Sequence, residues 1–127
     1  MKVKFYRCPI CGNVVIKTVD SGINVVCCGE EMEELIPQTN ETGMEKHLPV
    51  WSQETNGNIH VKVGSAEHPM IPTHYIQFIY LETKNGGQFK NLSPDDKPKA
   101  VFSYICDTPV AVYEYCSIHG LWKTEIK

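Results

Sequence analysis

The segment Ile59–Val63 reads IHVKV, and its apolar and polar side chains alternate strictly. Alternation with a period of two is typical of a β-strand that has one buried and one exposed face. The same parity places His60 beside Lys62 on the exposed face. We therefore predict a strand here, and we predict that His60 is not a metal ligand.

Similar β-rich runs follow along the chain and are separated by turn sequences. The runs span residues 75–80, 100–106 and 110–116, and the turns fall at 56–57, 85–87, 93–96 and 107–109. In the first run, Ile76, Phe78 and Tyr80 are expected to share one face. Six or seven short strands at this spacing predict a mainly β protein built on an antiparallel sandwich.

Residues 1–36, at the start of the chain, are poor in large apolar side chains but hold four cysteines. The sequence CPICG at 8–12 is followed by CCG at 27–29, and fifteen residues separate Cys11 from Cys27. The glycine after each pair tolerates the positive φ that turns backbone N–H groups toward sulfur. The candidate ligands of this first metal site are Cys8, Cys11, Cys27 and Cys28.

The identity of the first metal is left open by the spacing. Both iron and zinc accept four thiolates, and the adjacent cysteines of the second pair predict a distorted tetrahedron because neighbouring side chains of an extended chain point apart. A pair of disulfides is the alternative. Six cysteines in 127 residues are too few for a disulfide scaffold, and adjacent cysteines are awkward disulfide partners.

The chain is expected to form two domains, at 1–36 and 37–127. Below about 40 residues a domain normally needs metal or disulfides to fold, and the four thiols would hold that metal. Pro37 and the polar stretch 38–43 mark the boundary, beyond which the β-rich pattern begins.

A second group of potential ligands lies in the larger domain. His68 and His74 flank a segment too rich in proline for a strand, and His119 follows Cys116 at the spacing of a C-x-x-H turn. His47 precedes the first strand of the sandwich. Each histidine alone is more often a hydrogen-bonded loop residue than a ligand, and Cys106, which has no such neighbours, is expected to pack in the core.

Composition narrows the classes of function. The net charge of −3 argues against a nucleic-acid partner, because binding phosphates requires a basic face. The first residues contain no apolar signal region, and no apolar run approaches the length of a membrane span. A reducing cytoplasm is the expected setting, since it keeps thiols available as ligands.

These residues together resemble the desulfoferrodoxin family, the two-iron form of superoxide reductase. The resemblance extends over the whole chain, through CPICG (8–12), VCCGE (26–30), EKHLPV (45–50), GSAEHPM (64–70), HYI (74–76) and EYCSIHGLWK (114–123). It implies a small desulforedoxin-like domain followed by an immunoglobulin-like β-sandwich, usually in a homodimer. It also implies one-electron reduction of superoxide to hydrogen peroxide, with rubredoxin or a similar small redox protein as electron donor.

Carried over by position, the resemblance assigns two iron ions to each chain. The first ion would be held by Cys8, Cys11, Cys27 and Cys28. The second would be surrounded by His47, His68, His74 and His119, with Cys116 as axial thiolate. Five ligands leave one octahedral position vacant, which suits a small substrate and disfavours zinc. The family often has asparagine and leucine where this chain has Ser117 and Ile118.

The resemblance also assigns roles to the dipeptide that precedes His47. Lys46 would attract superoxide and order water for proton delivery. Without the resemblance, the sequence around it favours a solvated loop lysine. Glu45 would cap the ferric iron. Two other classes stay open from the residues alone: a rubredoxin-like electron carrier that uses only the four-cysteine iron, and a zinc-stabilised binding module.

Overall fold

The computed structural model describes residues 2–41, 46–104 and 106–127. The chain divides into two compact units, residues 1–36 and 37–127. Throughout the described ranges the regular structure consists of strands, and no helix is present that could span a membrane.

The smaller unit is built from very short strands. Its strands are β1 (Phe5–Arg7), β2 (Val14–Ile16), β3 (Val26–Cys27), β4 (Glu30–Glu31) and β5 (Glu33–Leu35). They form a three-stranded sheet in the order β2-β1-β5 and a separate hairpin, β3-β4. In the described part of this unit, only Phe5, Cys8 and Met32 are buried apolar residues. So small a core cannot by itself account for an ordered unit.

The larger unit contains longer strands that are all paired antiparallel. They are β6 (Pro49–Gln53), β7 (Ile59–Val63), β8 (Ile76–Thr83), β9 (Gly86–Asn91), β10 (Lys99–Phe102), β11 (Pro109–Cys116) and β12 (Gly120–Glu125). One sheet has the order β10-β7-β6 and the other the order β12-β11-β8-β9. The predicted sandwich is confirmed, and the strand order is that of an immunoglobulin-like fold.

The core lies between these two sheets. Its buried members are Ile59, Val61, Val63, Ile76, Ile79, Leu81, Leu92, Ala100, Phe102, Val112 and Cys116. The predicted alternation in β7 is confirmed, because Ile59, Val61 and Val63 are each 1% exposed. His60 faces the other way, pairs with Glu54 and belongs to neither group of potential metal ligands found among the described residues.

Two details of the sandwich differ from the prediction. Ile76 pairs with Cys116 whereas Phe78 pairs with Tyr115, so Gln77 forms a bulge that reverses the parity of β8. Ile76, Phe78 and Tyr80 therefore do not share a face. Phe78 instead stacks on Tyr115 outside the core, with ring centroids 5.6 Å apart.

Cys106 is the second difference. It is exposed and has a φ of 55°, in the connection between β10 and β11. The expectation that it packs in the core is wrong, because β10 already ends at Phe102 and Cys106 is exposed in the connection that follows.

Candidate metal centres

The four cysteines of the smaller unit converge on one point. The Sγ atom of Cys27 lies 3.6 Å from that of Cys11 and 4.0 Å from that of Cys28. Cys28 has a φ of 56°, a left-handed conformation that is rare for residues other than glycine. This backbone turn lets two consecutive side chains face the same site, which an extended chain would prevent. Gly12 and Gly29 have the positive φ that the sequence predicted.

The ionisation of these thiols shows why they need a cation. Backbone N–H groups of Cys11 and Ile10 donate to the Cys8 sulfur, each at 3.4 Å, and lower the pKa of Cys8 to about 6. The neighbouring Cys11 and Cys27 thiols instead raise the pKa of Cys28 to about 12. Four thiolates this close repel one another, so full ionisation requires a bound metal.

The larger unit brings together a second set of five donors. They come from His47, His68, His74, Cys116 and His119, whose donor atoms all lie within 4.8 Å of one another. The imidazole rings form a closed circuit in the order 47, 68, 74, 119, with neighbouring centroids 4.6 to 5.0 Å apart. The sequence-predicted ligand sets are thus both assembled by the fold.

These donors lie in three separate connections next to or between the strands. His47 lies just before β6, His68 and His74 lie between β7 and β8, and His119 lies in the turn between β11 and β12. Cys116 ends β11 and pairs with Gly120, so the C-x-x-H segment is a tight hairpin turn. The edge where these connections meet becomes the metal site.

Hydrogen bonds join the connections to each other. Ser117 donates its backbone N–H to the carbonyl of Tyr75 at 3.0 Å, and its hydroxyl accepts the backbone N–H of Tyr75 at 3.1 Å. The His74 segment is thereby fixed to the Cys116 turn. The hydroxyl of Ser117 therefore has a structural role here.

The imidazoles present free nitrogen atoms to the centre of the circuit. Nε2 of His47 lies 3.0 Å from Nδ1 of His119, the separation of two nitrogens bound at right angles, each about 2.1 Å from one ion. The ring Nδ1 of His68 donates a hydrogen bond to the carbonyl of Pro69 at 2.7 Å, which leaves the unprotonated Nε2 to bind a metal ion. Nε2 of His74 is buried with no hydrogen-bond partner among the described residues. These nitrogens fit metal ligation.

Burial favours the neutral, metal-binding form of two of the rings. It lowers the pKa of His68 to about 4, and the nearby His47, His74 and His119 lower it further. Burial also lowers the pKa of His74, with contributions from the charges of His119, His47 and Lys46. Five N and S donors exceed the four that zinc prefers and suit iron.

The thiol of Cys116 lies on the core side of the imidazole circuit. It is fully buried, whereas His119 is exposed, and its sulfur is 3.5 Å from Nε2 of His68 and 3.7 Å from Nδ1 of His119. Burial raises the pKa of Cys116, so a thiolate at this position depends on a bound cation.

The backbone that carries Lys46 rests against Gly64. A methyl group on Gly64 would approach the Cα and carbonyl carbon of Lys46 to 2.7 Å, and the N–H of Gly64 donates to the carbonyl of Leu48 at 2.9 Å. Gly64 also has a φ of 77°. Glycine at this position therefore allows the Lys46–His47 segment to reach the site. Glu45, the other residue assigned a role by the resemblance, lies outside the described residues.

Sequence reasoning missed three residues around the site. Glu41 accepts hydrogen bonds from His47, and the side-chain amide of Gln38 donates to the carbonyl of His119 at 2.8 Å. Both lie in the stretch that the sequence presents as a polar boundary, and a single sequence carries no signal for them. Glu114 is fully buried two residues before Cys116, and strand parity on β11 could have identified its inward position.

The pKa values of the two acids are shifted in opposite directions. Burial raises the pKa of Glu114 well above its usual value, and the charge of Glu41 raises it further. Burial also tends to raise the pKa of Glu41, but hydrogen bonds from His47 and Leu48 outweigh it and the net pKa is lowered. Glu41 is thus a carboxylate beside the cluster.

Comparison with known proteins places both units in one family. Residues 39–125 match the family model described as desulfoferrodoxin, and residues 1–35 match that of the desulfoferrodoxin N-terminal domain. The desulfoferrodoxin of Syntrophotalea carbinolica is 44% identical over 98% of this chain and 97% of its own length. The superoxide reductase of Pyrococcus horikoshii is 36% identical over 65% of this chain and 87% of its own.

A solved structure shows the same fold. The crystal structure of the superoxide reductase from Treponema pallidum superposes with a TM-score of 0.83 at 30% identity and covers 97% of this chain and 98% of that one. Both sets of clustered donors, the sandwich and the matches over nearly the full length agree. The chain belongs to the desulfoferrodoxin family.

Proposed function

We propose that this chain is a superoxide reductase, an oxidoreductase that reduces superoxide to hydrogen peroxide. The observation that carries the proposal is the closed circuit of four imidazoles with a buried thiol on one side of it. An electron carrier or a zinc-stabilised module does not require such a five-donor set. Two iron ions per chain are the cofactors, one held by four cysteines and one by four histidines and a cysteine.

The reaction consumes one superoxide, one electron and two protons and yields one hydrogen peroxide. The four histidines and Cys116 would hold an iron ion, which in its ferrous state would supply the electron. The protein supplies uncharged nitrogen donors, so one thiolate is the only negative ligand and the centre keeps a positive formal charge. That charge attracts an anion despite the net charge of −3 on the chain.

The stoichiometry of the reaction tests this function. Reduced, iron-loaded protein is mixed with superoxide without oxygen, and hydrogen peroxide and dioxygen are both measured. Reduction gives one hydrogen peroxide for each superoxide and no dioxygen. Dismutation gives one hydrogen peroxide for every two superoxides and releases dioxygen. Dioxygen release at that ratio, or no reaction above the protein-free control, would refute the proposal.

We also propose that residues 37–127 form the catalytic domain and that Lys46 acts there on the substrate. The half-buried Lys46 lies next to His47, and its charge contributes to lowering the pKa of His74, so it acts electrostatically on the cluster. It would attract superoxide and order the water that delivers protons. Glu45, next to it in sequence, would cap the ferric iron between turnovers.

Variants separate the two roles. Lys46→Ala is expected to slow the bimolecular reaction with superoxide by about tenfold or more, because steering by charge changes association rates by 10- to 1000-fold. Lys46→Arg should retain most of the rate, and raising the ionic strength should slow wild type more than Lys46→Ala. Glu45→Ala should alter the ferric absorption band and speed azide binding. A wild-type reaction rate in Lys46→Ala would refute the role of Lys46. A wild-type ferric absorption band and azide-binding rate in Glu45→Ala would refute the role of Glu45.

Residues 1–36 are proposed to form a desulforedoxin-like iron domain that serves as an accessory electron-transfer or structural centre. Within this unit Ile10, Val19 and Ile23 are 62 to 85% exposed, a large apolar surface for so small a unit. This supports a homodimer in which a second copy covers these side chains. Sedimentation that shows only a 14.4 kDa species would contradict the dimer.

The electron donor is proposed to be rubredoxin or a similar small redox protein in the cytoplasm, where thiol ligands stay reduced. The exposed position of His119 brings one edge of the catalytic cluster to the surface, within reach of a docked donor. Reduced rubredoxin should re-reduce the oxidised protein in stoichiometric amounts. Failure to do so while a chemical reductant succeeds would exclude it as donor.

A further inference from the structure

Glu41 makes three contacts with the segment that carries His47. One carboxylate oxygen lies 2.5 Å from Nδ1 of the His47 ring, and the other accepts the backbone N–H groups of His47 at 2.9 Å and Leu48 at 3.4 Å. The side chains of His47 and Glu41 are only 12% and 10% exposed. A single carboxylate thus fixes both the backbone and the ring of one candidate iron ligand.

The contact determines which nitrogen of His47 faces the metal. A carboxylate only accepts hydrogen bonds, so Nδ1 must carry the proton and Nε2 must present its lone pair to the cluster. The ring also stacks on Trp122, with centroids 4.8 Å apart and planes at 14°. Glu41 and Trp122 together define both the rotation of the ring and its tautomer.

The other imidazoles have weaker partners. The Nδ1 of His68 bonds a neutral carbonyl, that of Pro69, and within the described ranges no carboxylate contacts His74 or His119. An imidazole that donates its proton to a carboxylate becomes more basic and a stronger electron donor to a metal. The four nitrogens of the cluster are therefore electronically unequal, and His47 is the strongest donor.

We propose that Glu41 is a positioning residue that holds His47 in the Nδ1–H tautomer and strengthens its donation to the catalytic iron, thereby favouring the ferric state. The inference rests on the proposed function for the presence of iron at this site, but it concerns binding and potential and not turnover. Loss of an outer hydrogen-bond partner typically costs 10- to 100-fold in metal affinity or activity.

The test compares Glu41→Gln, Glu41→Ala and Glu41→Asp in the full iron-loaded chain. Two quantities are measured: the reduction potential of the histidine and cysteine iron, and the rate at which a chelator removes that iron. In Glu41→Gln, which keeps the size but loses the charge, we expect a higher potential and about tenfold or faster iron loss. Glu41→Asp, which keeps the charge, should recover most of the wild-type values.

The chain offers a matched control in Glu54, which pairs on the surface with His60, a histidine that belongs to neither cluster. Glu54→Gln removes an equivalent carboxylate and should leave both quantities unchanged. The potential of the four-cysteine iron should stay the same in every variant. A wild-type potential and iron-loss rate in Glu41→Gln would overturn the inference. If Glu41→Ala fails to fold, Glu41→Gln and Glu41→Asp still decide the question.

Neither measurement uses superoxide. A protein that binds iron at this site but does not reduce superoxide would refute the proposed function and leave this test valid. Conversely, full superoxide reductase activity with an unchanged potential in Glu41→Gln would refute the role of Glu41 alone.

Discussion

Replacing Cys116 with serine is expected to remove nearly all of the reaction with superoxide. The thiol occupies a fully buried position on the core side of the imidazole circuit. Serine is a neutral, poorly polarisable donor that stays protonated, whereas a thiolate pushes electron density through the iron. We expect wild-type protein to show a transient visible absorption band after a pulse of superoxide, and in Cys116→Ser this band should disappear or lose most of its amplitude.

The four-cysteine iron provides an internal reference for this variant. Its spectrum should persist in Cys116→Ser, because its donors lie in a separate unit at residues 8–28. Cys106→Ser is the matched control, since Cys106 is exposed in a loop and belongs to neither cluster. Equal transients in wild type and Cys116→Ser would contradict the assigned role of the thiolate.

Removing the metal from the smaller unit is expected to unfold residues 1–36. Burying a large apolar side chain contributes about 1.5 to 3 kcal/mol, and the described part of the unit buries only Phe5 and Met32 in addition to Cys8. Structural zinc in small domains contributes about 10 to 16 kcal/mol on binding, so metal ligation must dominate here too. Cys28→Ser should have the same effect as a chelator.

Proteolysis and amide exchange can follow this change within each unit. Segments from residues 1–36 should lose protection in Cys28→Ser, while β8 and β11, which are buried along most of their lengths, should remain protected. Reduction of superoxide by chemically reduced protein should continue. Full protection of residues 1–36 without metal would show that the small core suffices.

The ligand sets could be predicted from the sequence because they depend on local signals. Cysteine spacing and the proline-rich loop around His68 mark candidates, and the alternation in β7 correctly excludes His60. The bulge at Gln77 could not be predicted from alternation, because an inserted residue changes the parity without leaving a trace in polarity. The exposure of Cys106 depended equally on where β10 ends, which a β-rich run does not specify.

The partners of the ligands were beyond prediction for another reason. Glu41 precedes His47 by six positions, and Gln38 bonds the carbonyl of His119 across 81 positions. Such contacts arise only when the connections meet at one edge of the sandwich. A polar stretch after Pro37 has the composition of a linker whether or not it binds elsewhere.

The two donor sets differ in how far apart their members lie along the chain. The cysteines of the smaller unit lie within residues 8–28, whereas His47 and His119 are 72 positions apart. During synthesis the first site is complete once a short N-terminal stretch has left the ribosome. The second exists only after the last hairpin has closed. A truncated product would therefore carry the four-cysteine iron and lack the iron that reacts with superoxide, which confines superoxide reduction to chains that extend through His119.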